Sequence, residues 1–317
     1  MTPAGSGVGC GTASHRALFY DGAEDYASGI VSFLGEGLAA GEPVLVAVPA
    51  ARIGLIKERV DGLAGPGSQV TFIDMADVGR NPSRVIPAVR RFASAHPGRR
   101  TRAVGEILWP GRSPAEVREV IRHEALCDAA FAGLPVTVLC SYDAGSLDDA
   151  VLRDAARTHR HIQQRGEVRA SEAYGGPDVA RAIGEQPLPS PPAGADTLTF
   201  QQGGLARLRR YVLHHATQAG LGAGRTQDLV MAVNEAATNT VVHAKAPGTL
   251  RIWQERGALV CEVSDPGRIT DPLAGRHVPS PRAGKGHGLW MINQICDLVE
   301  LRSGTWGTMI RMHMNCS

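Results

Sequence analysis

Short apolar runs separated by helical stretches fill the first half of the chain. Val44-Leu45-Val46-Ala47-Val48 contains no polar residue, which suits a strand buried on both faces. Helices are expected at 24–40 before it and at 50–63 after it. The alternation continues with a strand at 70–74, a helix from Ser83 to Ala95, a strand at 101–108 and a helix at 113–130. A strand at 135–140 and a helix from Leu147 to Gln164 complete it. Strands spaced by helices of this length call for a mostly parallel α/β sheet with helices on both faces. Such sheets bind ligands beyond the C-terminal ends of their strands, here Pro49, Asp74 to Asp77, Trp109 and Ser141-Tyr142. Glu106 interrupts an otherwise apolar strand. Burying a carboxylate is costly unless it is partnered, so Glu106 marks either a pocket or an acid satisfied against a helix.

The second half has a different rhythm. An amphipathic helix at 203–218 and a longer one at 224–243 come first. In the longer helix Leu229, Val233, Ala236, Ala237, Val241 and Val242 can face a sheet. Strands at 248–254 and 258–264, a glycine- and proline-rich segment at 266–288, a helix at 289–297 and strands at 298–303 and 307–314 follow. This order reads as a helical layer on a mixed, largely antiparallel sheet, an α+β sandwich. Between the halves, 184–197 is dense in proline and nearly free of apolar side chains, and is expected to be an extended tether outside any core. The resulting division is a tail at 1–14, a domain at 15–183, a linker at 184–197 and a domain at 198–317.

Composition narrows the function classes. The chain has 317 residues, enough for two domains, and its 33 basic and 31 acidic side chains leave a net charge of +2. That balance provides no broad field for nucleic acid. The arginine clusters at 99–102 and 207–210 lack interleaved aromatics and read as solvated faces. The first 14 residues lack the basic segment and apolar run of a signal peptide, and no stretch has the roughly 18–20 apolar residues of a membrane span. A cytoplasmic protein with no direct nucleic-acid or membrane partner is expected. The six cysteines, at 10, 127, 140, 261, 296 and 316, form no Cys-x-x-Cys pair and read as buried free thiols, not a zinc site. His159, His161 and Glu167 read as solvated polar residues.

Three segments of the second half carry chemistry. Glu235 and Asn239 are four residues apart and share a helical face. Asn239 offers a neutral oxygen to a hard cation such as Mg2+, and Glu235 can orient or deprotonate a water or hydroxyl. Asp265, before Pro266 and Gly267, can accept a hydrogen bond from an exocyclic amine such as that of adenine, with Gly267 allowing close backbone approach. Gly284-Lys285-Gly286-His287-Gly288 runs into a helix beginning near Leu289, and backbone N–H groups at a helix N-terminus suit a phosphate chain. The first half contains no such loop: after Val48 the chain reads Pro-Ala-Arg-Ile-Gly-Leu-Ile-Lys, without the Gly-Lys-Ser or Gly-Lys-Thr of a P-loop.

In this order the three segments resemble the motifs of the Bergerat-fold ATPases, the GHKL group that includes serine-kinase anti-sigma factors and sensor histidine kinases. The resemblance implies that Glu235 and Asn239 form the N-box, with Glu235 the catalytic base and Asn239 the Mg2+ ligand. It also implies that Asp265 and Gly267 form the adenine box, that Gly284, Gly286 and Gly288 form the phosphate loop with Lys285, His287 and Leu289, and that Thr308 is the late nucleotide-contacting threonine. ATP and Mg2+ are the cofactors implied. The sequence departs from the family's Asp-x-Gly-x-Gly at Arg268-Ile269, as many anti-sigma members do.

The first half resembles the MEDS sensory domain in His15-Arg16-Ala17-Leu18-Phe19-Tyr20, in Gly105-Glu106-Ile107-Leu108-Trp109 and in Leu139-Cys140-Ser141-Tyr142. That resemblance implies a RecA-like sheet without a working phosphate loop, sensing a small ligand, with His15, Tyr20, Glu106, Trp109 and Tyr142 around its pocket. The pairing implies an anti-sigma serine kinase whose partners are a sigma factor and an anti-anti-sigma (STAS) protein. The helix at 203–218 resembles the dimerising edge of such kinases, which leaves monomer and homodimer both open. Two other readings stay open: a reduced histidine kinase with His214 or His215 as phosphoacceptor, and a module that binds ATP and a sigma factor without catalysis.

Overall fold

The computed structural model describes residues 13–279 and 286–316. These form two units. One takes the residues up to Asp77, Ala88–Gly111 and Cys127–Gly176; the other takes Val78–Pro87, Arg112–Leu126 and the chain from Pro177 onward. No helix among the described residues is long and apolar enough to cross a membrane.

In chain order the first half contains β1 (Ser14–Tyr20), α1 (Gly22–Ala39), β2 (Val44–Val48), α2 (Ala50–Asp61), β3 (Val70–Asp74) and α3 (Met75–Val78). A 3-10 turn (Pro82–Arg84) leads into α4 (Val85–Ser94), β4 (Thr101–Gly105), α5 (Pro114–Phe131), β5 (Val136–Asp143), α6 (Asp149–Thr158), β6 (His161–Gln164) and β7 (Glu167–Ala170). The seven strands form one sheet in the order β3-β2-β4-β5-β1-β6-β7. Every pairing is parallel except β6 with β7. All five residues of β2 are buried, as expected of a strand flanked on both edges inside a parallel sheet. Leu18, Tyr20, Val44, Val46, Val48, Val104 and Leu139 project to one face and pack with Tyr26, Ile30, Phe33 and Leu34 of α1 and with Ile56 and Val60 of α2.

The helix expected from Leu147 to Gln164 stops at Thr158. The chain then turns into the β6–β7 hairpin at the sheet edge. β7 is exposed along its whole length, so no apolar alternation marks it in the sequence.

The second half contains α7 (Pro177–Glu185), β8 (Asp196–Phe200), α8 (Leu205–Gln218) and α9 (Ala223–Asn239), which continues into a π turn (Thr240–Ala244). Then come β9 (Gly248–Glu255), β10 (Ala258–Asp265), α10 (His287–Ile295), β11 (Leu298–Gly304) and β12 (Gly307–Asn315). The sheet order is β11-β12-β10-β9-β8, and all four pairings are antiparallel where a mixed sheet was expected. One face carries Leu250, Ile252, Cys261, Val263, Ile310 and Met312 against Leu208, Val212, Leu229, Val233, Ala236 and Ala237 of α8 and α9. Val242 does not join them and is 54% exposed, because the chain leaves α-helical geometry at Thr240 and the 3.6-residue phase is lost.

The opposite face is charged. Strand register places Arg251 beside Glu262, Glu262 beside Arg311 and Arg311 beside Glu300. The Arg311 guanidinium donates twice to Glu262, at 3.0 and 2.6 Å, and a third time to the Pro189 carbonyl. Glu262 and Glu300 are fully buried. The segment expected as a free tether thus contributes to this unit: Leu188 is buried and the Glu185 carbonyl accepts the Trp306 indole N–H. β8, inside its last residues, adds the edge strand.

Val78–Pro87 and Arg112–Leu126 belong to this second unit through polar contacts. Asn81 donates to the Asn293 carbonyl at 3.0 Å, and Arg84 donates to the carbonyls of Asn293 and Cys296 at 2.8 and 2.7 Å. A helix leaves its last carbonyls without intrahelical partners, and these side chains satisfy the C-terminal end of α10. Glu119 of α5, fully buried, accepts from Arg302 and lies 3.5 Å from Arg276.

Candidate functional site

The end of α9, the end of β10 and the start of α10 meet around a cavity of about 590 Å³. Asn239, Asp265, Gly267, Gly286, Gly288, Leu289 and Thr308 line it, seven of the positions singled out in the sequence. Gly284 and Lys285 lie outside the described residues. His287 is exposed and does not line the cavity.

Asp265 ends β10 with its carboxylate fixed. Oδ2 accepts the Thr240 hydroxyl at 2.6 Å and Oδ1 accepts the Gly267 N–H at 2.7 Å. Each carboxylate oxygen has a second lone pair, so acceptor capacity remains for an amine entering the cavity. A side chain at Gly267 would stand 2.8 Å from the Ala244 methyl and from Asp265 Oδ1, so only glycine lets the backbone approach this closely. Thr308 secures the same turn by donating to the Gly267 carbonyl at 2.8 Å, and its hydroxyl is shared with Ser303 at 2.8 Å. Ser303 in turn accepts the Ile269 N–H.

Glu235 and Asn239 share the face of α9 that meets the first turn of α10. A Cβ at Gly288 would lie 3.1 Å from Glu235 Oε2 and 3.4 Å from Asn239 Nδ2. The N-terminus of α10 therefore rests directly against both side chains. Gly286, the residue before the helix, has φ +87°, a left-handed conformation that favours glycine. The first N–H groups of α10 lack intrahelical partners and carry partial positive charge, a binding element for anionic oxygens.

The remaining lining was not read from the sequence. Ile269, Leu273, Ala274, Val278 and Ile310 add apolar lining, and His243, Arg268, Asp271 and His277 add polar groups. Ile269, Leu273 and Ala274 were legible only as isolated apolar residues in a glycine- and proline-rich loop, without periodicity to give them a direction. Apolar lining near the fixed Asp265 carboxylate suits a heteroaromatic ring with an exocyclic amine. The oxygen of Asn239 and the α10 N-terminus suit a hydrated Mg2+ and a phosphate chain at the other end.

In the first unit, the residues expected around a pocket divide between the two faces of the sheet. Strand side chains alternate between faces. Tyr20 therefore points with Leu18 toward α1 and α2, whereas His15 points with Ala17 and Phe19 to the other face, where Tyr142 packs edge-on against Phe19. Tyr20 donates to Glu106 at 3.1 Å, and Arg52 reaches the Tyr20 hydroxyl. Burial pushes the Glu106 carboxyl above the usual carboxylate range, with Tyr26, Arg52 and Tyr20 pulling the other way. Glu106 is thus an acid partnered inside the protein. Trp109 is half-buried beyond the end of β4.

His159 departs furthest from its expected place. It is fully buried, because α6 ends one residue earlier and the chain turns into the sheet, whereas His161 and Glu167 are exposed as expected. On α8, His214 is exposed, and His215 is half-buried with Nδ1 3.8 Å from Asp196. The arginines at 207, 209 and 210 are exposed.

Two families match the chain. Residues 14–160 match the MEDS domain, the methanogen/methylotroph, DcmR sensory domain. Residues 198–314 match the histidine kinase-like ATPase domain. No curated protein matches the chain.

Proposed function

From a chain in which a MEDS sensory domain precedes a histidine kinase-like ATPase domain, we propose a regulatory serine kinase. It binds ATP with Mg2+, acts on an anti-anti-sigma (STAS) partner and holds a sigma factor until that partner displaces it. The observation that carries this reading is the convergence of Asp265, Asn239 and the α10 N-terminus on one cavity. The three come from segments separated by more than twenty residues, and each supplies a different part of what a nucleotide needs.

In this reading Asp265 accepts the adenine amine while Thr240 and Gly267 hold its carboxylate in place. Asn239 holds Mg2+, which when bound neutralises charge on the phosphates. The N–H groups of α10 receive phosphate oxygens, with Gly288 giving them room beside Glu235. Glu235 takes the proton from the attacking serine hydroxyl of the partner, and its carboxylate stands next to the helix end where the phosphate chain lies. Transition-state charge is met by fixed N–H dipoles, which need no reorganisation as the reaction proceeds.

A serine acceptor is favoured over an internal histidine by what precedes the ATPase core. Among the described residues, the chain enters it through α7 and one edge strand, then the single helix α8. A phosphoacceptor hairpin would need two long helices. In this reading control runs through α10, whose N-terminal turn lines the cavity and whose last carbonyls are held by Asn81 and Arg84, residues inside the MEDS match.

The test is incubation of the full chain with ATP labelled at the γ-phosphate and candidate STAS proteins. Acid-stable phosphoserine on the partner is expected, lost with Glu235→Gln while Mg2+-dependent ATP binding remains. Acid-labile label on the chain itself, removed by His214→Gln or His215→Gln, would favour a reduced histidine kinase. ATP binding with no labelled protein would favour a non-catalytic sigma-factor-binding module.

A further inference from the structure

We propose that His15, Cys140 and His159 form a binding site for a zinc-class divalent metal ion in the first unit. This site is separate from the nucleotide cavity and does not depend on the kinase reading. His15 Nε2 lies 3.3 Å from Cys140 Sγ, and one ligand atom from each of the three residues lies within 4.8 Å of the others. Their exposures are 3%, 6% and 0%, so the cluster is built into the core and is not a chance grouping on the surface.

Strand order brings the three together. β1 lies between β5 and β6 in the sheet. The parallel register pairs His15 with Val138 and Ala17 with Cys140, so His15 and Cys140 share a face one diagonal step apart. His159 precedes β6, the strand on the other side of β1, and its ring lies 4.0 Å from that of His15 between centroids.

The chemistry of the set suits zinc. Imidazole nitrogen and thiolate are its preferred ligands, at bonds of about 2.0–2.3 Å that leave ligand atoms roughly 3.5 Å apart in a tetrahedron. The His15–Cys140 separation already meets that spacing, and the His159 ligand atom lies within 4.8 Å of both, which gives three of the four positions of a tetrahedral site. Both histidines also have oriented outer partners. His159 Nδ1 donates to the Ala155 carbonyl at 2.8 Å, which fixes the tautomer that leaves Nε2 its lone pair. His15 Nδ1 faces the Asp128 carboxylate at 3.8 Å, and Asp128 is itself held by Arg160 and Tyr174. Carboxylate or carbonyl behind a ligating histidine is the usual support of such sites. On metal binding the Cys140 thiol would release its proton and ligate as thiolate.

The experiment uses the full chain without an affinity tag, stripped with EDTA and titrated with Co2+ as a spectroscopic stand-in for zinc. The expected result is a near-ultraviolet thiolate-to-cobalt band that saturates at one ion per chain and disappears when Zn2+ is added. Cys140→Ser should lose the band. Asp128→Asn, which keeps all three ligands, should retain it with affinity lowered roughly 10–100-fold. Absence of the band in the wild type, or its persistence in Cys140→Ser, overturns the assignment. Should Cys140→Ser fail to fold, X-ray absorption on the zinc-loaded wild type decides: a first shell with one sulfur at about 2.3 Å supports the site, and a shell of oxygen and nitrogen alone sinks it.

Discussion

The Thr240 hydroxyl donates to Asp265 Oδ2 at 2.6 Å, tying the π turn after α9 to the end of β10. Thr240 is almost fully buried and also contacts the Ala236 carbonyl, so the bond joins the helical layer to the sheet behind Asp265, which lines the cavity. The π turn that ends the regular helix is what aims this hydroxyl at the carboxylate. Departures from α geometry of this kind recur at functional sites.

Asp265→Asn should therefore lower ATP affinity by roughly 10–100-fold, the effect of losing a charge-assisted hydrogen bond to the base. Thr240→Val should weaken it less, because it removes only the bond that positions the carboxylate. Titration calorimetry on both variants checks the order; equal ATP affinity in Asp265→Asn and wild type would remove Asp265 from the site.

Gly288→Ala places a methyl against Glu235 and Asn239. Alanine is a better helix former than glycine, so the thermal midpoint should hold or rise slightly while ATP affinity falls at least about tenfold, or about 1.4 kcal/mol. A fluorescent ATP analogue and a melting curve separate the two effects. Loss of both together would mean the contact matters for folding alone.

The buried pair of Glu119 and Arg302 should be sensitive to loss of one member. Glu119→Leu leaves the Arg302 guanidinium buried without its carboxylate, which costs about 3–5 kcal/mol. Replacing both with leucine and methionine should recover only part of that, because Arg122 and Arg276, both buried, also face Glu119 at 3.7 and 3.5 Å. Denaturant unfolding of the single and double variants measures the difference. Because Glu119 also lies 3.5 Å from Arg276, on the loop that lines the cavity, Glu119→Gln should change ATP affinity as well.

Glu300 sets an acid limit on stability. Burial alone would raise its pKa, but His313, Arg118 and Arg311 outweigh that and hold it at about 2. A carboxylate depressed on folding contributes stability above its unfolded pKa, near 4.5, and loses it as pH falls toward the folded value. The contribution, on the order of 3 kcal/mol at most, should be complete at pH 6 and largely gone by about pH 2. Glu300→Gln should flatten that part of the pH–stability profile, and an unchanged slope between pH 5 and 3 would count against the assignment.

Much of the cavity beside Asp265 was legible because its parts are local. Glu235 and Asn239 fall on one helical face by spacing alone, and Asp-Pro-Gly at a strand end is a turn wherever it occurs. A glycine run before a helix offers N–H groups whatever surrounds it. What could not be read was direction over distance. Tyr20 and His15 were expected around one pocket, yet alternate pleating sends them to opposite faces. His159 looked like part of a polar helix until α6 ended at Thr158 and the turn buried it. Leu188 looked stranded in a tether that instead lies along the charged face of the second sheet.

The sequence by itself determined most of the helices and central strands, that the first sheet is mostly parallel, and that Glu235 and Asn239 share one helical face. Those properties follow from periods of 2 and 3.6 residues and from backbone rules that act within a few positions. Tertiary structure alone decided that Cys140 stands against His15, 125 residues away, that Glu119 pairs with Arg302, and that Asn81 and Arg84 finish α10. Those contacts depend on strand order and register, which are set by the burial of the whole sheet and leave no mark in any one stretch of chain.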